Sequence, residues 1–208
     1  AILCALTCAL TINVRIFGLL LSELILFFYF IILLRKENKE KNIKKPLVLF
    51  LILINFFLIL FWTYLWENPI GNFFNALKAL GAHNPHLNTF YLGKYFVRIH
   101  APWHYHLVWI FLTTPFLYLV LFITGLLPLT QRIIKRLFKI EKNDSYIDLW
   151  RTNKELQDLF FLMTFIIPIF VAIHFRSISY DGWRHLYFIY PSFLLISMLG
   201  VHLLKIKF

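Results

Sequence analysis

"IFGLLLSELILFFYFIILL", residues 16–34, runs directly into "RKENKEKNIKK", residues 35–45. As a helix rising about 1.5 Å per residue, the first stretch is long enough to cross a hydrocarbon core of about 30 Å. Its single charged side chain is Glu23. The second stretch holds six basic side chains and two acidic ones. That change from apolar run to basic run is the pattern of a chain crossing a bilayer and emerging on the side where lysine and arginine collect.

Working outward from this pair, four further segments reach spanning length: 47–66, 107–128, 157–175 and 187–204. Residues 1–13 read as the tail of an earlier crossing. The chain of 208 residues is 60% hydrophobic and 19% aromatic, outside the range of soluble domains. The expected fold class is therefore all-α, a polytopic transmembrane helical bundle of about five full spans plus a partial one. With no internal repeat and no Gly/Ser- or Pro-rich linker, residues 1–208 read as a single transmembrane domain. Its first residue is Ala, followed at once by apolar sequence with no basic stretch ahead of it, so the expectation is a fragment of a longer protein.

The polar segments assign a topology. Residues 130–156 carry seven basic side chains, Arg132, Lys135, Arg136, Lys139, Lys142, Arg151 and Lys154. By the positive-inside rule, loops 35–45 and 130–156 face the cytoplasm, and residues 67–106 and 176–186 face outward. Lys205 and Lys207 return to the inside. The net charge of +11 then belongs to loops facing anionic lipid, so membrane lipids are expected partners and nucleic acid is not. The long outer loop includes "NPIGNFFNALKAL", residues 68–80, in which an Asn-Pro start and apolar residues at helical spacing predict an interfacial helix. Cys4 and Cys8, one helical turn apart without a CxxC, read as packing residues.

Seven of the eight histidines lie on or beside the outer face: His83, His86, His100, His104, His106, His174 and His185. The outer loops hold only two carboxylates, Glu67 and Asp181. A surface rich in His, Arg, Trp and Tyr but poor in carboxylates suits an anionic ligand, although aromatic residues collect at any membrane interface and loop histidines are often merely solvated.

Two segments could carry chemistry. In "RIHAPWHYHLVWIFLTTP", residues 98–115, Pro102 breaks the chain at the mouth of the membrane and His104, Tyr105, His106 and Trp109 begin a helix. His104 and His106 would point to different sides of that helix, so the spacing indicates no metal, and no cofactor is expected. In "YDGWRHLYFIYP", residues 180–191, Tyr180, Asp181 and Gly182 form a turn signal ahead of Trp183, Arg184 and His185 at a helix start. A forked guanidinium at a helix amino terminus favours phosphate. Asp181 beside Arg184 could equally be a local ion pair and helix cap.

The set "LWENP", "YLGKYFVRIHAPWHYHLVWIFLTTP", the later "GLLPL" and "YDGWRHLYFIYP" resembles membrane glycosyltransferases of the GT-C superfamily. More narrowly, the chain is similar to family 39-type proteins, the dolichyl-phosphate-mannose protein mannosyltransferase-like group, over roughly residues 1 to 200, with "ALTINVRIFGLLL" as the mid-protein helix pair. The resemblance implies a GT-C-like bundle that moves a sugar from a polyprenyl-phosphate donor to a lipid or protein acceptor on the outer face of a bacterial inner membrane. It implies a catalytic carboxylate in a first outer loop that this chain does not contain, to which neither Glu67 nor Asp181 corresponds. It places Arg184, His185, Asp181, Tyr180, His104 and Tyr105 at the donor phosphate and sugar, with no metal among the assigned groups.

Other classes remain open on the sequence. A secondary transporter binding an anionic substrate would place charge inside the spans. Here Glu23 is the main such charge, and pairing with Arg15 is its ordinary explanation. A haem protein would need facing intramembrane histidines, for which only His106, His174 and His202 are near. A structural subunit would have no need of the His- and Arg-rich outer face.

Overall fold

A computed structural model describes residues 1–34, 44–81, 88–97, 102–138, 149–174 and 182–207. They are mainly helical, and five helices are long and apolar enough to cross a membrane: Ile16–Leu33, Lys44–Phe61, Phe116–Arg136, Asn153–His174 and Arg184–Lys205. By length and composition the chain is thus a helical membrane bundle. It divides into two compact units, Ala1–Ala101 and Pro102–Phe208.

In the first unit, helix α1 (Ile2–Val14) packs along α3 (Lys44–Phe61). Ala5, Cys8, Ala9 and Ile12 meet Phe50, Ile54 and Leu58 in one buried cluster. Ala5 and Ala9 are one turn apart, and such small side chains let two helices approach closely where lipid supplies no hydrophobic drive. The Asn13 amide donates to the Phe61 carbonyl at 3.1 Å, so the carboxyl ends of α1 and α3 lie at one level. Arg15 turns to an extended conformation and ends α1, and a 3-10 turn, Ile16–Gly18, leads into α2 (Leu19–Leu34). A Cβ on Gly18 would stand 2.8 Å from the Thr11 backbone, which is why the turn needs glycine.

Beyond α3, a 3-10 turn, Thr63–Leu65, leads into α4 (Pro69–Gly81). Proline occupies the first helical position, where its missing N–H costs nothing, and the Asn68 side chain accepts from Gly71 N at 3.0 Å. Next comes a feature outside the all-helical expectation, an antiparallel hairpin of β1 (Asn88–Tyr91) and β2 (Lys94–Val97). Its two-residue turn is Leu92-Gly93, both at positive φ, the conformation that joins two strands tightly. Thr89 and Tyr91 are buried on one face, whereas the cross-strand pair Phe90 and Tyr95 is exposed on the other with ring centroids 5.1 Å apart.

In the second unit, α5 (Tyr105–Thr113) and α6 (Phe116–Phe138) correct the expected span at 107–128. Pro115 has no N–H to give, and Thr114 before it turns extended, so the apolar run divides there. The spanning piece is Phe116–Arg136 instead. Helices α7 (Asn153–His174) and α8, which starts at Tyr190 and ends at Lys207, complete the unit. Helix α8 crosses α6 where Gly125 meets Gly200. A Cβ on Gly125 would run into the Ile196 carbonyl, and one on Gly200 into the Leu121 carbonyl. Phe122 stacks on Phe193 at 4.6 Å and meets Phe165 at 4.9 Å, so one aromatic cluster joins α6, α7 and α8. At the opposite end from the Gly182 turn, Arg136 forms a two-pronged pair with Glu155 and Arg132 meets Asp158 at 3.1 Å, fixing α6 to α7.

Candidate functional site

The two segments singled out from sequence meet in the second unit. Tyr105, Trp109 and Thr113 follow one another at intervals of four and form one stripe of α5. All three touch the chain at Gly182 and Trp183. The Gly182 N–H donates to the Tyr105 hydroxyl oxygen at 3.2 Å, and both are buried. The Trp183 indole N–H donates to the Thr113 hydroxyl at 2.7 Å, and that hydroxyl in turn donates to the Trp109 carbonyl at 2.7 Å. A Cβ placed on Gly182 would sit 3.3 Å from the Trp109 ring, and Gly182 has φ +76, so glycine is required twice over. Thr113 was not legible as part of the site beforehand, yet the spacing 105, 109, 113 is the signal that would have found it.

These contacts fix the backbone from which Arg184 and His185 project. Trp183 is buried among Ile110, Ile169, Ala172, Leu186 and Ile189 and stacks on Tyr187 at 5.0 Å. Arg184 is exposed and His185 half-buried. The helix that they open is a 3-10 segment, Arg184–Ile189, and regular α-helix begins only at Tyr190. The first turns of this helix are therefore 3-10 rather than α, and Arg184 stands at their amino-terminal end.

The other expected residues are placed as follows. Tyr105 is 1% exposed, its hydroxyl taken up by Gly182, so it positions the turn. His104 precedes α5 and is half-buried with its ring against Trp103 at 5.6 Å. His106 is 3% exposed and packs its ring against Tyr105 at 5.3 Å. Tyr180 and Asp181 lie outside the described residues, as do His83, His86 and His100. Among the described residues no group of three or more His, Cys, Asp and Glu side chains is placed to hold a metal.

Glu23, the charge expected inside a span, is exposed on α2 and no ion pair joins it to Arg15. Comparison with family models, curated proteins and solved structures returned no match.

Proposed function

We propose that this chain belongs to a GT-C-type membrane glycosyltransferase that moves a sugar from a polyprenyl-phosphate donor to an acceptor on the outer face of a bacterial inner membrane, with loops 35–45 and 130–156 in the cytoplasm. The observation that carries the reading is the Tyr105–Gly182 hydrogen bond, which joins two of the four motifs behind the resemblance across 77 positions of sequence. Arg184 stands at the resulting turn on an anchored backbone and exposed to ligand.

In an inverting displacement the acceptor hydroxyl attacks the anomeric carbon as the lipid phosphate leaves with the bonding electrons. Charge grows on the phosphate oxygens, and a pre-positioned guanidinium there lowers the barrier because it does not have to reorganise. His185 lies beside it, half-buried, with its Nε2 shielded from solvent. The proton of the acceptor goes to a carboxylate, the general base that the resemblance implies.

The test supplies membranes containing the intact protein with radiolabelled polyprenyl-phosphate sugars. Arg184→Ala is expected to lower transfer by about 10²-fold or more at unchanged protein level, the usual cost of losing one stabilising donor. His185→Ala is expected to lower it less. Equal transfer by all three proteins would return the cluster to a purely structural cap.

A further inference from the structure

Helix α2 carries a carboxylate at the depth where a bilayer tolerates it least. The apolar span Ile16–Leu33 has 18 residues and its centre falls between Leu24 and Ile25, so Glu23 lies about 2 Å along the helix axis from the middle of that segment. The helix is packed on one side only. Ser22, Leu24 and Phe28 are buried, whereas Glu23, Phe27 and Phe30 are exposed. Spaced by four and three, those three residues form a single stripe. Among the described residues Glu23 has no hydrogen-bond or ion-pair partner. Phenylalanine is at ease against lipid tails, but a carboxylate there lacks any group to satisfy it.

We infer that the Glu23–Phe27–Phe30 face of α2 is a docking surface for a transmembrane helix of another protein that brings an Arg or Lys side chain to the bilayer centre. Charge complementarity names the partner, and the chain's own sequence disfavours a second copy. Every other described span carries its basic residues toward an end. The one nearest a centre is Arg132, roughly six residues or about 9 Å from the middle of Phe116–Arg136, and it is already paired with Asp158. Two copies meeting through α2 would therefore bring carboxylate to carboxylate. Phe27 and Phe30, 53% and 59% exposed, supply packing surface on the same stripe as the charge. This surface is independent of the transferase reading, because it lies on a different unit from the Gly182 turn.

The test reconstitutes the fluorescently labelled chain in lipid vesicles with a synthetic helix of leucines carrying one central arginine, and with an all-leucine helix as control. Energy transfer is expected to report association about tenfold stronger with the arginine helix, in keeping with a polar contact inside a bilayer. Glu23→Leu is expected to abolish the difference and Glu23→Asp to retain part of it. Because no described residue bonds Glu23, Glu23→Leu is also expected to leave thermal stability in detergent unchanged or raised. Equal association with both helices, a preference that survives Glu23→Leu, or a marked loss of stability in Glu23→Leu would each overturn the proposal. So would energy transfer between two copies of the chain that depends on Glu23 without any preference for the arginine helix.

Discussion

Tyr105 and Gly182 are both buried and share a hydrogen bond across 77 positions of sequence, which makes the pair sensitive to substitution. Tyr105→Phe keeps the ring among His106 and Trp109 but leaves the Gly182 N–H without its acceptor. The expected loss is about 1–3 kcal/mol, the cost of a buried donor left unsatisfied. Gly182→Ala should cost at least as much, since a left-handed backbone and contact with the Trp109 ring both oppose the new methyl group. Thermal unfolding in detergent micelles measures both, and an unchanged midpoint in Gly182→Ala would mean that the turn relaxes without loss. The sequence made Gly182 readable as a turn and Arg184 as a candidate anion contact. It did not make Tyr105 readable as the anchor of that turn, because a hydrogen bond across 77 positions leaves no local pattern.

At the scale of elements, the same residue type produced opposite outcomes. Pro128 and Pro168 sit inside α6 and α7, whereas Pro115 separates α5 from α6. All three interrupt apolar runs, and an apolar run alone does not say which break the surrounding helices will absorb. The spans expected at 16–34 and 157–175, found as Ile16–Leu33 and Asn153–His174, were readable because length and hydropathy decide them without help from packing. The hairpin was hidden for another reason: four-residue strands rich in aromatics look like any interfacial segment until Leu92 and Gly93 are seen to close the turn. The crossing of α6 and α8 rests on the absence of two side chains, Gly125 and Gly200. Gly200→Ala should force the helices apart or bend one of them, at a cost of about 1–3 kcal/mol. A lowered unfolding midpoint in micelles checks this, and a neutral substitution would show that the crossing has room to adjust.

At the scale of the whole molecule, the two units, each taken by itself, are packed in different ways. In the first, helix α2 buries Ser22, Leu24 and Phe28 and leaves Glu23, Phe27 and Phe30 exposed. The second seals its spans with glycine contacts and an aromatic cluster, and ties α5 to the Gly182 turn with a short chain of buried hydrogen bonds. Membrane insertion follows directly from composition. The proposed chemistry depends on a few groups at one mouth, and there the account is most exposed to test. The decisive measurement is photocrosslinking of the intact protein in membranes with a polyprenyl phosphate carrying a photoreactive group next to the phosphate, followed by mapping of the modified peptide. Adducts concentrated between Trp183 and Tyr187 or between Trp103 and Trp109, and lost in Arg184→Ala, are the predicted result. Adducts spread evenly over the spans, or unchanged in Arg184→Ala, would contradict a lipid-phosphate site at the Gly182 turn.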